Sequence, residues 1–160
     1  MHHNFSSLSI FSLVLVAVTG LLATGCAPAR AQVQVSGLQV MNQNELGESA
    51  PVKLRLYPLR SDTKFRATSG DSLWTGDEEL LRADLTHAPT VTLVSPGGTD
   101  RTPTRIEVPL GEGAKWLGVL ALYVKSDAID RRTLLLPIED ADRMIITCSG
   151  YSITAEKVQK

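Results

Sequence analysis

Few side chains in this chain of 160 residues could carry metal, nucleophilic or acid–base chemistry. His2 and His3 lie at the extreme N-terminus, so His87 is the one imidazole of the remaining chain, and Cys26 and Cys148 are its thiols. One histidine with one or two cysteines is too small a set for a four-ligand Cys/His zinc site. His87 sits in Thr86-His87-Ala88-Pro89, with no nucleophile signature nearby, and reads as an exposed loop residue. The acidic run Glu139-Asp140-Ala141-Asp142 lacks the glycine and the twelfth-position glutamate of a calcium loop and reads as a solvated turn between strands. Ser95-Pro96-Gly97-Gly98-Thr99 has the glycines of a phosphate cradle but neither its lysine nor a following helix, so it reads as a turn. Trp74 and Trp116 could stack on a ligand, but Trp116 lies in an apolar run and reads as a packing residue. No pair of carboxylates is singled out for glycoside hydrolysis. These residues point to a protein without metal or cofactor and without catalysis. A net charge of −1 also argues against nucleic acid, which calls for a basic stripe.

The one cysteine with a chemical context is Cys26. Residues 1–25 contain no Asp, Glu, Lys or Arg, so all 16 basic and 17 acidic side chains lie from Cys26 onward. The apolar stretch Ile10–Leu22 is too short for a membrane span, which needs about 20 residues, and matches a signal-peptide core. Leu22-Ala23-Thr24-Gly25-Cys26 follows it and has the form of a bacterial lipobox, small residues directly before a cysteine. The thiol of Cys26 would become the diacylglyceryl carrier and the first residue of the mature chain. Two or more acyl chains anchor firmly where one holds only marginally. Ala27 is not the aspartate that retains lipoproteins at the inner membrane, which directs the expectation to the outer membrane, facing the periplasm. A second cut is open at Ala29-Arg30-Ala31, which has the A-x-A form of ordinary secretion. With Cys26 acylated, Cys148 has no disulfide partner and reads as a small buried strand residue; a Cys26–Cys148 bridge is open only if the lipobox is not used.

The elements that follow are mostly strands. The chain divides into a signal peptide over 1–25, a lipidated cysteine and tether over 26–34, and a folded domain over 35–160. Gln32–Met41 reads as a strand whose phase is broken at Gly37 by a bulge. Val52–Leu59 alternates Val52, Leu54 and Leu56 against Lys53, Arg55 and Tyr57, and is expected to end at Pro58. Ser61–Leu85 reads as one or two short helices, with Ser61 or Asp62 as a cap, a Thr75-Gly76-Asp77-Glu78 capping box, and a Glu78–Arg82 pair. Phe65, Leu73, Trp74, Leu81 and Leu85 are expected to pack on the sheet. Further strands are expected at Thr90–Val94, Thr104–Leu110, Lys115–Val124, Thr133–Ile138, Met144–Cys148 and Tyr151–Ala155. Lys115–Val124 is nearly all apolar and reads as a central strand covered on both faces. About eight short strands with frequent turns indicate a two-sheet β-sandwich.

Several of these segments together resemble the type VI secretion lipoproteins, the TssJ family. Pro51-Val52-Lys53-Leu54-Arg55-Leu56-Tyr57-Pro58-Leu59 is similar to that family's "P-V-x-V-R-x-Y-x-L" strand, followed here by Ser61–Ala67 with Phe65. Leu73-Trp74-Thr75-Gly76-Asp77 and Leu81-Arg82-Ala83-Asp84-Leu85 resemble its "L-(F/W)-x-x-D-x-x-x-L-x-x-D-L" segment. Ala114–Tyr123 resembles "A-R-Y-L-G-V-V-A-x-Y", and Arg131–Pro137 a late strand ending in "V-P". The resemblance covers roughly residues 38–156 and departs at the Gly/Pro-rich linker Val94–Pro103 and in the final hairpin. It implies a transthyretin-like sandwich with a small helical addition, held at the outer membrane through acyl chains on Cys26. The implied partner is the periplasmic C-terminal domain of the large inner-membrane subunit, TssM. The implied contact is the loop after the first strand, Asn42–Ala50, with Asn42, Asn44, Glu45, Glu48 and Ser49 as candidates. A polar loop on a rigid sandwich is a sound recognition device. The other function weighed is a periplasmic ligand-binding lipoprotein module on a similar sandwich, with a pocket near Trp74 or Trp116.

Overall fold

The computed structural model describes residues 29–97, 102–125 and 131–158. The signal peptide and the lipobox with Cys26 lie outside the described residues. Eight strands form two four-stranded sheets: β1 (Arg30–Met41), β2 (Val52–Leu59), β3 (Thr90–Val94), β4 (Thr104–Pro109), β5 (Trp116–Leu122), β6 (Thr133–Pro137), β7 (Met144–Gly150) and β8 (Ser152–Lys157). One sheet has the order β4-β1-β7-β8 and the other β3-β2-β5-β6. Neighbours are antiparallel except β1 and β7, which run parallel.

The inner faces follow from the period-two pattern. Val33 and Val35 of β1, Val52, Leu54 and Leu56 of β2, Leu117, Val119 and Ala121 of β5, and Ile146 and Cys148 of β7 meet in one core. The expected bulge is at Gly37: the β1–β7 register shifts between Gly37 and Met41. A Cβ at Gly37 would lie 2.5 Å from Ser95 O and 2.8 Å from Met41 Sδ, so no other residue fits. The final hairpin turns through Gly150, at φ 52°, with Ser149 opposite Ser152.

β5 is covered on both faces, as its run of apolar residues requires. Its outer residues Leu120 and Leu122 join Tyr57, Leu59, Phe65, Leu73 and Leu81 in a second core. The helical side of that core is α1 (Thr63–Ala67) and α2 (Gly70–Leu81). Phe65 of α1 lies over Gly118, where a Cβ would come within 2.7 Å of the ring. α2 begins with Ser69, whose hydroxyl accepts from Ser72 N–H at 3.1 Å. It kinks at Gly76 (φ −149°, ψ 30°), which places Asp77 beneath it. There Asp77 accepts from Tyr57 Oη at 2.6 Å and from the Arg55 guanidinium at 2.7 Å. Burial lifts the Tyr57 pKa well above 10, and the Asp77 carboxylate lifts it further. Burial alone would lower the Arg55 pKa, but its bond and attraction to Asp77 leave it raised.

Five expectations are corrected. β2 does not end at Pro58 but runs through it to Leu59. β3 pairs with β2 only as far as Leu56, so the missing Pro58 N–H leaves no gap in the sheet; Pro58 O instead accepts from Thr86 N–H and Oγ1. Thr75 does not cap Glu78: its hydroxyl bonds back to Asp71 O and Ser72 O, and Asp77 Oδ1 receives Glu78 N–H. Arg82 pairs with Glu79, not Glu78. Trp74 stands 45% exposed because Leu73, Asp77 and Leu81 hold the buried stripe of α2. The Glu139–Asp142 run is a 3-10 helical segment, Ile138–Arg143, anchored by buried Ala141.

Two outcomes test this packing. Gly118→Ala pushes a methyl against Phe65 and is expected to lower unfolding stability by about 2 kcal/mol in urea titration, with Phe65→Leu relieving part of the loss. Burial also raises the Cys148 thiol from 9.0 to about 11. The raised Tyr57 and Cys148 values mean that the folded chain holds these protons more tightly than the unfolded chain. For Cys148 the stabilisation is complete below pH 9 and is lost as pH rises through about 11, whereas for Tyr57 the loss begins only above pH 10. Midpoints of urea unfolding measured from pH 7 to 11 should stay level and then fall, and Cys148→Ala should delay the fall.

Candidate functional site

The end of β1, the start of β2, the end of β5 and the β7–β8 turn meet at one end of the sandwich, where Asn42–Ala50 connects the two sheets. Asn42 holds this junction. Its backbone is left-handed, φ 48°, a conformation that asparagine tolerates better than most residues. Its N–H donates to Gly150 O at 2.7 Å. Its Nδ2 donates to Pro51 O at 2.8 Å, and its Oδ1 accepts from Val124 N–H at 2.7 Å. One residue, 3% exposed, thus ties β1 to both β7 and β5.

Beyond Asn42 the loop is a preformed turn. Asn44 Oδ1 accepts from the N–H groups of Leu46 and Glu48, at 2.9 and 3.0 Å. Its Nδ2 donates to the Glu48 carboxylate at 2.9 Å. Gly47 closes the turn at φ 79°, with its N–H on Asn44 O and its carbonyl receiving Gln43 Nε2. Ser49 Oγ receives Met41 N–H. Tyr151 Oη donates to Gln43 O at 2.8 Å, and the Tyr151 ring packs edge-on against Tyr123. The loop tip therefore keeps one shape without a partner, which reduces the ordering entropy that binding would otherwise cost.

The five residues singled out by sequence fall into two groups. Asn42, Asn44 and Ser49 use their polar atoms within the loop or its base, and Glu48 commits one carboxylate oxygen to Asn44. Glu45 and Glu48 are exposed at the tip. Between them stands Leu46, 83% exposed, which sequence reasoning passed over. The signal was present as an apolar side chain inside Asn42-Gln43-Asn44-Glu45-Leu46-Gly47-Glu48-Ser49-Ala50. What the site offers is an apolar knob flanked by two carboxylates. Such a tip fits an apolar pocket with a basic rim.

The other residues weighed for chemistry are scattered. His87 is exposed with Nδ1 on Ala88 O, and Cys148 is buried in the core. Arg66 lies over the Trp116 ring, 5.6 Å from its centroid. Among the described residues no three His, Cys, Asp or Glu side chains are grouped to hold a metal, and no helix is long and apolar enough to cross a membrane.

A model of the type VI secretion lipoprotein family (VasD, EvfM, TssJ) matches residues 29–153. Among solved structures, the type VI lipoprotein TssJ1 of Pseudomonas aeruginosa superposes with a TM-score of 0.68 at 26% identity, over 84% of this chain and 99% of that one. Lip of Serratia marcescens, named as a membrane-bound component of the type VI secretion system, has a TM-score of 0.69 at 21% identity, over 84% of this chain and 100% of its own. A chain in a structure named for the C-terminal domain of TssM from EAEC has a TM-score of 0.66 at 22% identity, over 81% of this chain and 98% of its own. At such identities the last two bear on the fold alone. No curated protein matches the chain.

The geometry separates holding residues from presenting ones. Asn42→Ala strands the Val124 amide and the Pro51 carbonyl and puts alanine in left-handed backbone, an expected loss of about 2 kcal/mol in thermal or urea unfolding. Asn42→Gly, which relieves the backbone strain only, should lose less. Glu45→Ala and Leu46→Ser should change stability by no more than about 0.5 kcal/mol.

Proposed function

The chain belongs to the type VI secretion lipoprotein family, and from that premise we propose that it is the lipid-anchored outer-membrane component of a type VI secretion membrane complex. In this reading it holds the periplasmic C-terminal domain of the inner-membrane subunit TssM against the outer membrane, and its role is structural rather than catalytic. The observation that carries the reading is the direction of β1. The strand enters at Arg30 and ends at Met41, where the Asn42–Ala50 loop begins. Twelve extended residues separate the two ends by about 40 Å. Cys26 precedes Arg30 by four residues, a reach of at most about 14 Å. Acyl chains on Cys26 would keep the Arg30 end near the bilayer and aim the Leu46 tip into the periplasm.

The partner assignment draws on the TssJ resemblance and on the preformed tip. Leu46 would enter an apolar pocket of TssM, with Glu45 and Glu48 meeting basic side chains around it. The ligand-binding alternative has no comparable support, since Arg66 covers Trp116 and Trp74 stands out on α2.

The full-length protein tests both halves. Cys26→Ser should abolish incorporation of labelled fatty acid and release the chain into the soluble periplasm; retained label would mean that another residue is the anchor. Leu46→Asp should lower co-purification of TssM at least tenfold while lipidation and thermal stability stay unchanged. Undiminished recovery would remove the tip from the interface.

A further inference from the structure

We propose that β3 is a docking edge, on which an extended apolar segment of the partner protein pairs as an added strand of the β3-β2-β5-β6 sheet. The inference rests on the reading of this end of the sandwich as the partner-binding end, and deepens it.

A sheet edge presents unpaired backbone donors and acceptors, and proteins commonly protect such edges with charges, proline or covering elements. Three of the four edges here are protected. β4 exposes Arg105 and Glu107, and β8 exposes Glu156 and Lys157. β6 has no exposed residue. β3, the remaining edge, reads Thr90-Val91-Thr92-Leu93-Val94 and is without charge or proline. Its outward side chains Val91 and Leu93 are 54% and 66% exposed. They lie opposite Arg55 and Lys53 on the outer face of the sheet, on the side of β2 away from β5. β-Branched residues in alternation with no guarding charge suit strand addition, in which backbone bonds supply affinity and alternate side chains supply specificity. Pro89 and Pro96 flank the strand and limit the added segment to about five residues.

Position favours a different protein over a second copy of this chain. Val94 pairs with Val52, just after the Asn42–Ala50 loop, so a segment on β3 continues the surface presented by Leu46. Antiparallel pairing, the slightly stronger mode, of β3 with β3 of another copy would point the two Arg30 ends in opposite directions. Two chains anchored in one membrane through Cys26 cannot do that.

The test is amide hydrogen exchange on the full-length lipoprotein in detergent, alone and with TssM of the same secretion system. The expected result is slowed exchange at every second amide of Thr90–Val94 in the complex only. Leu93→Lys, which places a charge on the edge, should weaken the complex at least tenfold with unchanged unfolding stability. A complex that forms with β3 exchanging as fast as in the free chain overturns the docking edge and leaves the loop assignment standing. If no complex forms, both readings fall. Protection of β3 that rises with the concentration of this chain alone makes the occupant a second copy and also overturns the proposal.

Discussion

Asn42 is the point on which the loop end of the sandwich depends. Its amide side chain bonds Pro51 and Val124, and its backbone N–H bonds Gly150, so one residue joins the two sheets where the chain passes between them. Left-handed backbone at this position turns the chain sharply enough to bring all three partners into reach. Asn42 itself is buried, so replacing its side chain removes the bonds to Pro51 and Val124 together. The turn built by Asn44 and Gly47 starts from that fixed base. A loop rich in polar residues is thereby rigid, and its one apolar side chain is held outward.

A second constraint explains why helices belong to the fold. β5 is apolar on both faces, so the outer face of its sheet needs a cover. Phe65 fits over Gly118 because glycine leaves room for the ring, and the kink at Gly76 turns Asp77 down onto Tyr57 and Arg55. The buried carboxylate is neutralised by a cation and a hydroxyl rather than left alone, which is the condition for retaining it. The cover leaves the β3 side of the face open, with Val91 and Leu93 exposed. A single sheet face is thus divided between packing and availability.

The long axis of the sandwich gives these surfaces a direction. The chain enters β1 at Arg30, and the knob of Leu46 with its two carboxylates projects beyond the other end of the strand. For the proposed link between an envelope layer and a partner, separation of anchor and contact by a stiff strand is the relevant property. A β-sandwich supplies it because neighbouring strands brace each other along their length.

Strand periodicity was legible in the sequence. β3 matched its expected bounds, and the bulge at Gly37 and the doubly covered β5 were readable from phase and composition. These features are local, set by which side chains face inward at a period of two. Family motifs carried the helical insertion and the position of the proposed contact loop. The expected Thr75 cap failed because the helix already starts at Ser69 and Thr75 lies inside it, and Arg82 met Glu79 at i,i+3 rather than Glu78 at i,i+4, a choice that spacing leaves open. Trp74 failed because its neighbour Leu73 takes the buried stripe of α2. The division of labour inside the loop was also closed to sequence. Asn42, Asn44, Glu45, Glu48 and Ser49 look alike as polar loop residues, and only the arrival of Val124, Gly150 and Pro51 from distant strands decides which are consumed by hydrogen bonds. The sequence by itself determined the inward faces and the scarcity of groups that could do chemistry, and it carries the expected lipobox. The tertiary structure decided which polar groups are occupied, that β3 lies at a sheet edge with Val91 and Leu93 exposed, and that Leu46 stands out from the loop, because each depends on partners remote in the chain.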